Sequence, residues 1–228
     1  EHEQKRQKVI MTPLERKPQE ATQYSDIGMM LLGIILERIA DRPLNQLFKE
    51  EVAIPLGMTE TCFKPTPEQY KRCVPTELHI SDQQPPVPWQ GIVHDENARW
   101  LGGVAGHAGL FSTAGDLTKF AEMMLHHGNG FIQEDILSLF TRRANLTPDS
   151  SRCLGWDSPT QPGSSGGRLI GPNAFVHTGF TGTSFWIDPD TGIAVILLTN
   201  AVHPFRENKK NYFPWRNDVH TLTTQLLL

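Results

Sequence analysis

Residues 174–200, AFVHTGFTGTSFWIDPDTGIAVILLTN, restrict the fold of this chain more than any other stretch. Residues 175–178 and 183–187 are rich in aromatic and β-branched side chains, and residues 193–198 form an unbroken apolar run of strand length. Between the last two runs lies Asp188-Pro189-Asp190-Thr191-Gly192, in which proline presets φ and glycine admits a positive φ. The pattern predicts an antiparallel hairpin. Just before it, His177-Thr178-Gly179-Phe180-Thr181-Gly182 is polar and glycine-rich, and Gly179 and Gly182 let a ligand or a second backbone come close. Chemistry is expected there first.

The rest of the chain reads mainly as helix. A polar, proline-bearing approach over residues 11–23 leads to Tyr24-Ser25-Asp26, where Ser25 or Asp26 can cap a helix running to about Ala40. Its apolar residues, Ile27, Met29 to Leu32, Ile34 to Leu36 and Ile39, lie almost all round, which predicts burial on most faces. Pro43 suits the first position of a second helix to about Val52. Over residues 64–99 periodicity disappears and prolines accumulate, so the segment reads as a long loop covering a cleft. Thr113-Ala114-Gly115-Asp116 fits a helix start, Leu117, Phe120, Ala121, Met124 and Leu125 supply one apolar stripe, and Gly128 stops it. A shorter helix is expected near residues 133–142, a brief strand at 153–156, and a terminal helix capped by Asn217 with Val219, Leu222, Leu226 and Leu227 on one side. Helices first and an antiparallel hairpin last indicate an α+β fold of one domain, without repeats or a linker.

Composition removes several function classes. A formal charge of −4 over 228 residues offers no basic excess for nucleic acid. The longest apolar run, residues 27–36, is interrupted by Gly28 and Gly33 and is about half of the roughly 20 residues a bilayer span requires. The three cysteines are isolated in sequence, leaving a Cys62–Cys73 bridge open. His94-Asp95-Glu96 and His107 carry metal-capable side chains, but no HxxxH or HExxH spacing accompanies them, so neither metal nor cofactor is expected. Tyr24 precedes a helix N-terminus, whose positive dipole end favours an anionic oxygen; it is either a base or a half-buried aromatic at the helix entrance. His177, at a strand end beside glycine, is either a proton-handling group or structural.

Taken together, these motifs resemble a known group. Tyr24-Ser25-Asp26, Ile54-Pro55-Leu56-Gly57-Met58, Val93-His94-Asp95-Glu96-Asn97-Ala98, Gly106-His107-Ala108-Gly109 and His177-Thr178-Gly179 are similar to motifs of the β-lactamase-related serine hydrolases, in particular a branch like penicillin-binding protein 4B. The resemblance implies a partial β-lactamase/transpeptidase-like fold, in which a Ser-x-x-Lys on an earlier helix forms an acyl-enzyme. It also implies roles: Tyr24 as base, with Asp26 in the same motif, His177 beside them across the cleft, Thr178 and Gly179 against substrate, and the Phe180 N–H as an oxyanion donor. Asp26 stands where Asn is commoner and His177 where many relatives have Lys. No serine of this sequence has lysine three places on. The expectation is therefore a C-terminal portion of one domain, inactive alone, whose partner is the missing N-terminal segment and whose substrate is a β-lactam, a D-Ala-D-Ala peptide or another acyl compound. Two rivals stand beside it, a small-ester esterase of the same fold and a non-catalytic peptidoglycan-binding relative. The charged start, residues 1–8, lacks an apolar signal-peptide core and an initiator Met, which suggests removal of something upstream. The resemblance implies an exported bacterial protein, periplasmic or in the cell envelope.

Overall fold

The computed structural model describes residues 1–81, 84–148, 150–160 and 164–228. They form two compact units, Glu1–Asp116 and Leu117–Leu228. Helices and antiparallel sheets make the architecture α+β.

In the first unit, helix α1 (His2–Ile10) packs beside α2 (Asp26–Ala40). Ser25 caps α2 by accepting the Gly28 N–H at 3.2 Å, and Asp41 ends it in the left-handed conformation. Replacing Ser25 by Ala is expected to lower stability by about 1 kcal/mol. The measurement is the urea midpoint at unchanged slope; an unmoved midpoint would show that the cap contributes nothing.

The core here gathers Val9, Met30, Ile34, Ala98, Leu101 and Ala105. Gly33 and Gly106 bring α2 and the glycine-rich loop into backbone contact. A Cβ on Gly106 would lie 2.1 Å from the Met29 carbonyl oxygen, so only glycine fits. The expected burial of α2 on most faces does not occur. Met30, Gly33 and Ile34 are buried, whereas Leu32, Ile35, Leu36 and Ile39 are exposed, because one face alone meets the core. The second helix is α3 (Leu44–Phe48), continued by a π-helical turn, Lys49–Ala53. Glu37 ties it down by accepting the Leu44 N–H at 2.7 Å and pairing with Arg6.

Residues 64–99 are not one long loop. After β1 (Cys62–Phe63) they contain α4 (Pro67–Tyr70), closed by a capping box between Thr66 and Gln69, then β2 (Leu78–Ser81) and β3 (Gln84–Pro88), and the start of α5 (Glu96–Trp100). Strands β2 and β3 pair antiparallel, His79 opposite Val87. Both are edge strands, so the missing N–H groups of prolines in β3 are tolerated. Strand β4 (Leu110–Phe111) pairs with β1. Beside this pair Asp116, 3% exposed, accepts hydrogen bonds from Glu60 N and Thr61 Oγ1. The Asp116 N–H donates to Thr113 Oγ1, which is the expected start of α6 (Ala114–Leu125).

The second unit continues with α7 (Glu134–Thr141), then a three-stranded antiparallel sheet in the order β5 (Phe175–Thr178), β6 (Ser184–Asp188), β7 (Ile193–Leu197). The strands lie where the sequence places them. Gly192, at φ 69°, closes the β6–β7 turn, and the Asp190 N–H donates to Asp188 Oδ1. Ala174, Val176 and Trp186 form the core under the sheet, with Trp156 edge-on to Phe175 and Phe185. The strand expected at 153–156 is a turn between bridged Arg152 and Asp157, closed by Cys153 N–H to Trp156 O. All three cysteines are free thiols, so the Cys62–Cys73 bridge is not formed.

Helix α8 (Tyr212–Leu227), preceded by a 3-10 segment, Arg206–Asn211, starts five residues before the expected cap at Asn217. It also turns an unexpected face inward. Tyr212, Arg216, His220 and Thr224, spaced by four, are buried, while Leu222, Leu226 and Leu227 are exposed. Partners explain the choice: Tyr212 Oη donates to Gly182 O, His220 Nε2 meets Ser184 Oγ at 2.9 Å, and the Arg168 N–H donates to Thr221 Oγ1. Among the described residues no helix is long and apolar enough to cross a membrane.

Candidate active site

The residues singled out by sequence fall in both units. Tyr24 and Asp26 stand at the N-terminal end of α2 in the first; His177, Thr178, Gly179 and Phe180 stand at the end of β5 in the second.

At α2, the backbone of Ser25 is extended and its side chain caps the first turn, so Tyr24 projects from a rigid helix entrance with its ring exposed. Asp26 is the first helical residue, where a carboxylate complements the helix dipole. The fold brings two further groups to it. Ligating atoms of Asp26, Asp95 and His107 all lie within 4.8 Å of one another. Asp95 caps α5 through the Ala98 N–H at 2.7 Å and meets His107 Nε2 at 2.8 Å. Burial would raise the Asp95 carboxyl, but the Ala98 N–H and His107 together bring it below the usual carboxylate range. His94 joins a different pair, with Glu77 at 3.1 Å. A cavity of about 320 Å³ opens in this unit around His2, Arg6 and Glu37, away from Tyr24 and Asp26.

At β5, His177 pairs with Phe185 and Thr178 with Ser184. The outer edge of β5 is bridged once, by Asp157 at Val176. Backbone groups alternate sides along a strand, so the next outward-facing pair belongs to Thr178. The chain then turns: the Gly179 N–H donates to Thr183 O, and the Gly182 N–H to Gly179 O. Gly182, at φ 104°, leaves no room for a side chain, since a Cβ would lie 2.4 Å from Thr199 Oγ1 and 2.6 Å from Ala201 Cβ; at Gly179 a Cβ would lie 2.2 Å from Thr183 Oγ1 and displace that hydroxyl. Phe180 is exposed at the tip, with Lys209 Nζ 3.9 Å from its ring centroid and Arg206 on the same ring at 5.7 Å. These cations come from beyond the hairpin, and no local pattern announces them.

Desolvation, followed by the Arg152 charge, holds the His177 imidazole below its usual value, against a Thr178 backbone hydrogen bond and Asp157 that act the other way. The side chain is solvent-exposed, so this effect is moderated by screening. At neutral pH His177 thus offers a neutral ring that can donate and accept, where a lysine would offer a fixed positive charge. A Ser–His contact, Ser184 with His220, is enclosed: both residues are at most 2% exposed, which leaves no access for a substrate.

A sequence model of the beta-lactamase family matches residues 1–216. The chain is 36% identical over 220 residues to a protein of Escherichia coli O157:H7 named "Putative D-alanyl-D-alanine carboxypeptidase", a match that takes in 88% of this chain and 50% of that one. It spans about half the length of the curated relatives it matches. Among solved structures it is similar to unliganded simvastatin synthase (LovD) from Aspergillus terreus, with a TM-score of 0.68 and 18% identity over 98% of this chain and 61% of that chain. It is also similar to EstCE1, described as a hydrolase with promiscuous acyltransferase activity, with a TM-score of 0.65 and 23% identity over 92% of this chain and 58% of the other. These two likenesses concern the fold.

Proposed function

The chain belongs to the beta-lactamase family, and from that premise we propose that it supplies residues of a serine acyl-transfer site of the D-alanyl-D-alanine carboxypeptidase type. The nucleophile comes from a Ser-x-x-Lys segment outside these 228 residues. In this reading residues 1–228 are the C-terminal portion of one β-lactamase-like domain, of the branch resembling penicillin-binding protein 4B, in an exported bacterial protein. Tyr24 takes and returns the proton of the attacking serine, and Asp26 shapes the same helix entrance. His177 and Thr178 bind the polar or anionic end of the substrate, Gly179 leaves room beside them, and the Phe180 N–H faces the developing oxyanion.

One observation carries the reading. The outer edge of β5 is bridged at Val176 and continues to Thr178, beside a turn in which Gly179 and Gly182 allow close packing. An acyl chain laid along this edge would be held by strand-like backbone hydrogen bonds, with its carbonyl brought to the turn. The match to one half of each curated relative supports placing the nucleophile elsewhere.

The test is an intact-mass comparison of the full-length gene product before and after incubation with a fluorescent penicillin and, separately, a fluorophosphonate. One covalent adduct is expected, on a serine outside residues 1–228, and residues 1–228 alone should take up neither probe. A folded protein that forms no adduct with either probe would instead be a non-catalytic relative that holds peptidoglycan fragments.

The neutral state of His177 favours a second reading, an esterase for small acyl esters. His177→Lys decides between them. If His177 faces the substrate's carboxylate end, the added charge should raise kcat/KM for a D-Ala-D-Ala peptide about tenfold relative to a neutral nitrophenyl ester, the equivalent of ~1.4 kcal/mol. Turnover of the ester alone, in wild type and variant, would sink the peptidase reading.

A further inference from the structure

The cavity of about 320 Å³ in the first unit is lined by α1, α2, the start of α3, residues 101–106 and Lys64. Its volume lies in the range of small-molecule sites, ~300–1,000 Å³. One side is apolar. Met30 and Ile34 of α2 line it together with Leu101 and Ala105, all buried members of the core. Such a site takes an apolar body and fixes its orientation through a few polar groups.

The polar side has one sign left over. Glu37 is the carboxylate in the lining, and both of its oxygens are engaged: Oε1 accepts the Leu44 N–H at 2.7 Å and Oε2 pairs with Arg6. His2 donates Nε2–H to the Leu101 carbonyl at 3.0 Å, since a carbonyl oxygen only accepts. Lys64 is the remaining charge, and it makes no ion pair among the described residues. With Arg6 balanced by Glu37, the lining is net positive in either protonation state of His2. The lysine is also held in place. Its backbone is left-handed at φ 51°, uncommon for a residue with a side chain, and its stem lies on Gly103, where a Cβ would be 3.4 Å from Lys64 Cγ.

We infer that this cavity binds a small organic monoanion, with its apolar body against Met30, Ile34, Leu101 and Ala105 and its carboxylate paired with Lys64. A neutral ligand would leave the ammonium uncompensated, whereas one negative charge balances the lining, and a partly enclosed pair is less screened than one in open water. Because His2 and Arg6 belong to α1, an occupant bridges α1 and α2 and stabilises the folded state by mass action. The site is independent of the acyl-transfer reading.

The experiment titrates the full-length gene product by calorimetry with sodium phenylacetate and, separately, with phenylacetamide, which has the same shape without the charge. Phenylacetate is expected to bind one equivalent at least tenfold more tightly than the amide and to raise the thermal midpoint as its concentration increases. Lys64→Asn, which keeps a residue tolerated in the left-handed region, should abolish the preference for the anion and leave binding of the amide unchanged. The Met30 methyl resonance of wild type, assigned with Met30→Leu, should shift on addition of phenylacetate. That readout does not depend on the Lys64 variant folding, and it separates this cavity from any other carboxylate-binding surface, the acyl-transfer site included. Absence of saturable phenylacetate binding below about 10 mM, weak even for a ligand of about ten non-hydrogen atoms, would overturn the assignment. So would equal affinity for the two probes, an anion preference that survives Lys64→Asn, or binding that leaves Met30 unmoved.

Discussion

Tyr24→Phe is expected to slow acylation of the full-length gene product by about 10²–10⁴-fold, the usual contribution of one positioned acid–base group. That range is ~3–5 kcal/mol of barrier. The substitution removes one hydroxyl and keeps the ring, which is exposed at the α2 entrance, so the folded state should lose little. The helix cap belongs to Ser25 and is untouched. Single-turnover labelling with the fluorescent penicillin reads the acylation step directly. The rate should fall while the thermal midpoint stays within a degree or two. An unchanged rate would remove Tyr24 from the reaction and return it to the role of a helix-entrance aromatic.

Acid should destabilise the second unit through His220. Its imidazole is 1% exposed, and burial, reinforced by the Arg216 charge, lowers its pKa to about 4. The unfolded chain protonates the same group near ~6.5. Between those values the unfolded state binds more protons than the folded one, so stability falls as pH drops from about 6.5 towards 4. Above the unfolded value the contribution is fully present. A gap of that size is worth about 3 kcal/mol, large against the ~5–15 kcal/mol that holds a typical domain together. Urea unfolding of the full-length gene product at a series of pH values measures it. His220→Gln should lower stability at pH 7, since the contact with Ser184 Oγ is changed, and flatten the slope between pH 6.5 and 4. A slope that survives the substitution would assign the acid sensitivity to other groups.

The two predictions differ in how visible their residues are along the chain. Tyr24 stands out because a capping serine and a long apolar helix follow it. His220 does not, because its importance comes from Ser184 on β6, which lies 36 residues earlier. The same divide runs through the fold. Strands β5 to β7 and the cap at Thr113 were legible from sequence because their determinants are neighbours: side-chain alternation, turn residues and a hydroxyl three places from an N–H. Helix α1 was not, since its residues are mostly charged or polar; one buried valine, the Arg6–Glu37 pair and the contact of His2 with the Leu101 carbonyl dock it. The proline-rich β3 reads as loop until β2 is seen opposite it.

Helix α8 shows why apolar periodicity alone misled. Leucines 222, 226 and 227 lie outward, while Tyr212, Arg216 and His220 lie inward. Apolar burial is non-directional, whereas a buried polar group requires one particular partner, and the partners of this helix sit on the β5–β6 turn and β6. Asp26, Asp95 and His107 follow the same rule, since each is unremarkable in its own segment and only backbone packing at Gly33 and Gly106 gathers the loops around them. By itself the sequence determined what local chemistry dictates: the α+β class, the hairpin with its glycines, the helix starts at Ser25 and Thr113 and the family motifs. Tertiary structure alone decided which face of each helix is buried and which distant side chains meet, because those outcomes depend on pairings between segments that no single stretch encodes.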